Sequence, residues 1–198
     1  MSAFFKTKEE RRETAREALQ ELIDIRLEDL ILEIQNHLDN EILIMDRKEI
    51  IELIDEEEDF IANCANLSAL LMAEMEQLNW AGFFFARDGE LVLGPFQGMP
   101  VRTRIAWGDG VCGTAANLGE CIIVADVQEF PGYVARDAAS RSEMVLPLLW
   151  QDEVLGVLGI DSPAYDRFSA PDRDGLQPLI DALLGRSDLW SMFGTVEA

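Results

Sequence analysis

Along residues 8–45 apolar positions fall at Ala15, Leu19, Leu22, Ile23, Leu27, Leu30, Ile31, Ile34 and Leu38, with charged residues between them. Spacings of three and four mark one stripe of an α-helix. Within it, Ile23, Leu27, Leu30 and Ile34 keep a 4-3-4 rhythm. That rhythm fits a helix packed on its own domain, and equally a short coiled-coil seam joining two chains. His37 falls near the seam. A second helix is predicted over 46–57, closing in the acidic run Asp55-Glu-Glu-Glu-Asp59, a solvated end. A third is predicted over 60–77, apolar at Ile61, Ala65, Leu67, Leu70, Leu71 and Met75. Cys64 lies on it, where a buried, inert thiol is expected.

The period then changes. Residues 80–86 are a continuous apolar and aromatic run, followed by Arg87-Asp-Gly89 and a returning segment over 90–93. This reads as a β-hairpin. Further strands are predicted over 101–105, 121–127, 144–150 and 154–160, and a short helix over 111–118. A polar loop is predicted over 130–142. Ser169 and Pro171 open a last helix with the stripe Leu176, Leu179, Ile180, Leu183 and Leu184. Helices, then antiparallel strands, then a closing helix give an α+β domain: a sheet with helices on one face and a ligand pocket on the other. The expected division is an N-terminal helical extension over 1–48 and a globular domain over 49–198.

Composition narrows the function. The 198-residue chain carries a formal charge of −22, which repels nucleic acid and anionic membrane. No apolar run reaches the roughly 18–20 residues of a membrane span. The first twelve residues lack the apolar core of a signal peptide. A cytoplasmic protein is expected. Three cysteines, no CxxC and a single histidine argue against a disulfide framework and against a zinc site.

The candidate chemistry lies between Asn79 and Pro163. Glycines punctuate Gly94-Pro-Phe-Gln-Gly98 and Gly108-Asp-Gly-Val-Cys-Gly-Thr114, and carboxylates stand at strand ends in Glu143 and Asp161. Glycines flanking Cys112 let the backbone approach a ligand, and a helix N-terminus favours a thiolate there.

From about residue 60 to 193 the chain resembles the free methionine-(R)-sulfoxide reductases, which are single GAF domains. The strings that carry the resemblance are Asn79-Trp-Ala-Gly-Phe83, Leu91-Val-Leu-Gly-Pro-Phe-Gln-Gly98, Gly110-Val-Cys-Gly-Thr-Ala115, Asp137-Ala-Ala-Ser140 and Glu143-Met-Val-Leu-Pro147. The resemblance implies a thiol cycle. One Cys attacks the sulfoxide sulfur, methionine leaves, and a second Cys condenses with the sulfenic acid. A thioredoxin-like reductant then reopens the disulfide. No other cofactor is implied. It also implies a ligand site built from Trp80, Phe84, Asp137, Glu143 and Asp161, with Glu143 and Asp161 meeting the substrate's amino group.

The chain departs from that pattern. Of the three family cysteines only Cys112 is kept; Arg102 and Arg136 stand at the other two positions. Gly159 replaces a carboxylate, and Phe84 a tyrosine. An arginine paired with Glu143 or Asp161 would plug the site or recast it for an acidic ligand. Arginines turned to solvent would leave the pocket open. Cys121, absent from the family pattern, is the candidate resolving thiol for Cys112. Three functions follow: a degenerate member that binds a small molecule, either methionine sulfoxide or an acidic ligand; an active reductase using Cys112 with Cys121 or an external thiol; and a structural protein with a closed pocket whose acidic N-terminal helices bind a basic partner. A homodimer is the expected assembly if the N-terminal seam pairs.

Overall fold

A computed structural model of the chain describes residues 47–133 and 138–194. Helices α1 (Arg47–Asp55) and α2 (Phe60–Glu74) precede strands β1 (Trp80–Arg87), β2 (Glu90–Gly98) and β3 (Arg104–Ala106). Helix α3 (Gly110–Leu118), β4 (Ile122–Val124), β5 (Ser142–Trp150) and β6 (Glu153–Ser162) follow, then α4 (Ala170–Arg186) and α5 (Trp190–Phe193). The strands form one antiparallel sheet in the order β3-β2-β1-β6-β5-β4. The helix expected over 8–45, with its seam and His37, lies outside the described residues, as do Arg136 and Asp137. Among the described residues no helix is long and apolar enough to cross a membrane.

Local chemistry explains most boundaries. Asp59 ends the acidic run and caps α2: its Oδ1 accepts from the Ala62 amide at 2.8 Å. Phe60, Cys64, Leu67 and Leu71 then fall on one buried helical face. Asp88 and Gly89 both take positive φ, at 51° and 80°, so β1 and β2 join through a two-residue turn that matches strand twist. At α4, Asp172 Oδ2 accepts from both the backbone amide and the hydroxyl of Ser169, each at 2.7 Å. Asp172 Oδ1 also pairs with Arg167 at 3.1 Å, away from water.

Three strands differ from expectation. β2 continues to Gly98, past Pro95. It pairs with β3 only over Glu90 to Val92, so the missing amide of Pro95 falls on a stretch of edge. β3 starts at Arg104 rather than at 101. β4 stops at Val124, because the Asp126 carboxylate takes the Gln128 amide at 3.0 Å and starts a 3-10 turn over Val127–Glu129.

The sheet separates two apolar layers. Ala81, Phe83, Phe85, Met144, Leu146, Leu158 and Ile160 face α1, α2 and α4. Trp80, Phe84, Leu91, Val145 and Val157 face α3, through Val111, Cys112, Ala115 and Ala116. Strand alternation does the sorting.

Candidate ligand cleft

The site is set by register. Trp80 on β1 lies opposite Asp161 on β6, which lies opposite Glu143 on β5, which lies opposite Val124 on β4. These four residues form one row on the α3 face. Glu143 and Asp161 are each 1% exposed, so two carboxylates sit side by side in the interior. Gly159 is opposite both Gly82 and Val145, one step deeper, and contributes no side chain.

Asp161 is held from outside the sheet. Ser140 donates to its Oδ2 at 3.3 Å, and Asn79 Nδ2 donates to Ser140 Oγ at 3.0 Å. The Asn79 amide also donates to the Asp161 carbonyl at 3.0 Å. Trp80 and Phe84 are fully buried. The indole stacks between Phe84 and Phe96, with ring centroids 5.9 and 5.7 Å away. Both aromatics therefore support the floor from within the core layer.

Cys112 is the third residue of α3. Gly113 after it packs so tightly that a β-carbon would fall 2.4 Å from the Ala106 carbonyl oxygen. That contact seats the start of α3 against β3 and fixes the thiol over the sheet. Cys112 Sγ donates to Glu143 Oε1 at 3.7 Å. A thiolate formed here gains from the helix N-terminus but faces a carboxylate, so the two influences oppose one another.

Arg102 corrects the expectation that it pairs with Glu143 or Asp161. Its Nη2 lies 3.0 Å from Asp109 Oδ2 at the rim, and both side chains are partly exposed. The intervening helix start holds Asp109 above the buried pair, and the arginine takes the nearer, wetter partner. Among the described residues the cleft is lined by Arg102, Ile105, Asp109, Gly110, Val111, Cys112, Tyr133 and Glu143. Its enclosed space is small, about 20 Å³, which is room for about one water, and the rest opens to solvent at the mouth.

The other thiols lie elsewhere. Cys64 is buried on α2, and burial pushes its thiol well above the ordinary range. Cys121 packs with Ile123 against the layer beneath α4, whereas Ile122 and Val124 face α3. Burial raises its pKa, with smaller and opposed effects of Arg173 and Asp174. The sheet edge thus lies between Cys121 and Cys112, and none of the three cysteines is in a disulfide.

Sequence reasoning gave no role to Asn79, Ser140, Asp109 or Tyr133. Asn79 and Ser140 stood in the quoted strings, but only the fold reveals that they meet at Asp161. Asp109 was legible as an N-cap, and Tyr133 was hidden in a polar loop.

A family model described as GAF domain matches residues 63–183. Protein YtsP of Bacillus subtilis is 49% identical over 138 residues, covering 69% of this chain and 85% of that protein. The free methionine-R-sulfoxide reductase of Escherichia coli is 44% identical over 143 residues, covering 71% and 87%. The structure of the Neisseria meningitidis free methionine-R-sulfoxide reductase in complex with its substrate superposes with a TM-score of 0.70 at 36% identity, covering 77% and 89%. Sequence and fold agree with these relatives, and the chain belongs to the GAF-domain family of the free methionine-R-sulfoxide reductases.

Proposed function

We propose that this chain is a small-ligand-binding member of its family that has lost the two-thiol reductive cycle. The observation that carries the reading is the placement of the thiols. Cys112 alone faces the cleft, while Cys121 and Cys64 belong to the opposite layer. Reduction of a sulfoxide takes two electrons. Attack by Cys112 would release methionine and leave a sulfenic acid. A resolving thiol must then approach until the two Cα atoms are within about 7 Å. Cys121 faces away from the cleft, so the oxidised Cys112 depends on a thiol from solution.

The buried carboxylates support retention of a ligand site. Two acids, Glu143 and Asp161, are aligned on neighbouring strands, and Glu143 lines the cleft. They suit the amino group of an amino acid, and free methionine-(R)-sulfoxide, the relatives' substrate, is the first ligand to test.

The test pairs turnover with binding. Purified protein is given methionine-(R)-sulfoxide with a thioredoxin system, and separately with dithiothreitol, beside Cys112→Ser. The expected result is a ligand-induced rise in melting temperature without thioredoxin-coupled methionine release. Thioredoxin-coupled release that disappears in Cys112→Ser would sink the proposal and establish a reductase.

A further inference from the structure

We infer that Arg102 is the carboxylate anchor of this cleft, and that Asp109 holds it in reserve by a competing ion pair. The inference rests on the binding reading above and adds the ligand's charge and the residue that selects it. A guanidinium offers five N–H donors in a planar fork that fits a carboxylate. Arg102 spends one hydrogen bond, Nη2 to Asp109 Oδ2 at 3.0 Å, and its side chain is 48% exposed. Its remaining donors stand at the mouth of a cleft walled by Ile105 and Val111 and closed by Cys112 and Glu143. Glu143 at the inner end opposes a second anion, so the ligand has its carboxylate at one end and a neutral or cationic group at the other.

Asp109 has a second use open to it. It is the N-cap residue of α3, with extended backbone (φ −91°, ψ 122°), yet its side chain makes no capping bond. Its backbone carbonyl already accepts from the Gly113 amide at 3.0 Å, so the helix start is formed. On α2, whose first residue Phe60 lacks the left-handed φ of +60° that Gly110 takes, the carboxylate of Asp59 does cap the helix. The ion pair with Arg102 draws the Asp109 carboxylate away from the amides of Val111 and Cys112, the N2 and N3 positions a cap would serve. A ligand carboxylate that takes Arg102 releases Asp109 to those amides. Binding at the rim is thereby registered at the backbone of Cys112 without any chemistry at its sulfur.

The experiment uses the full chain and two small probes at constant ionic strength. Propionate carries the carboxylate, and propionamide is its neutral isostere. Amide and guanidinium resonances are followed by NMR in wild type, Arg102→Gln and Asp109→Asn. Propionate is expected to saturate, shifting the Arg102 Nε–H and the Val111 and Cys112 amides, with propionamide at least tenfold weaker. Arg102→Gln should lose at least tenfold in affinity. Asp109→Asn should bind severalfold tighter, because asparagine still caps the helix but no longer competes for the arginine. Equal response to both probes, an unchanged Arg102→Gln, or weaker binding by Asp109→Asn would each overturn the inference. Because no turnover is read, this result stands apart from the reductase test: a chain that reduces sulfoxide could still bind propionate through Arg102, and an inactive one could fail to.

Discussion

The two faces of the sheet are built from the same strands by opposite rules. The face under α1, α2 and α4 is apolar, and its polar groups act as caps and ties: Asp59 on α2, Asp172 on α4, and Asn63, whose amide reaches the Glu57 carbonyl at 2.7 Å and Ser187 Oγ at 3.1 Å. The face under α3 buries Glu143 and Asp161 beside one another and spends its N-cap aspartate on a rim arginine. One face follows the rules of stability in its core and caps, with Asn63 Oδ1 an exception that has no hydrogen-bond partner among the described residues. The other departs from them at the places where a ligand would be met, and that departure marks the site more clearly than any single residue does.

Substitution of the apolar face should produce the largest effect. Leu158→Ala, at a residue 1% exposed, is expected to lower unfolding free energy by about 2–5 kcal/mol in denaturant titration, with ligand affinity retained in the remaining folded protein. Asp172→Ala should cost about 1–2 kcal/mol in the same titration, since it removes the cap of α4 and leaves Arg167 without its carboxylate.

The buried thiol gives a smaller, pH-dependent term. Burial of Cys64 raises its folded pKa far above the ordinary 9.0, so above that pH the unfolded chain loses a proton that the folded chain keeps. The stabilisation is complete below pH 9 and is lost as pH rises further, at about 1.4 kcal/mol per pH unit. Stability curves between pH 9 and 10 should show this slope, and Cys64→Ala should flatten it.

The cleft face should respond in the reverse sense. Glu143→Gln is expected to change unfolding free energy by no more than about 1 kcal/mol, because the amide has the carboxylate's shape and its oxygen can still accept from the Cys112 thiol. The same change should abolish the melting shift given by methionine-(R)-sulfoxide. A large stability loss with ligand binding intact would show that the two faces do not divide the work in this way.

Much of this division was legible before any coordinates. The second helix, the stripes of the third and of the last helix, the hairpin at Asp88-Gly89, and the paired strands 144–150 and 154–160 all follow from local periodicity and turn chemistry. The cleft was legible as strings of residues, but its connections were not. The row from Trp80 through Asp161 to Glu143 depends on pairing across strands far apart in sequence. The opposite facing of Cys112 and Cys121 depends on where β4 begins, because a shift of one residue would reverse it. The partner of Arg102 was misjudged because charge complementarity does not tell which of several carboxylates is within reach.

The sheet ends on both sides in a strand of three residues, β3 and β4. Between them, the outer half of β2 carries a proline that cannot donate to an incoming strand. Exposed strand edges are where folded domains recruit one another into aggregates, and short edges, proline and strong like charge each discourage that recruitment. At a formal charge of −22, copies of this chain also repel over the distance of a first encounter. Short edges, the proline and like charge thus all work against self-association while the rim of the cleft at Arg102 stays accessible.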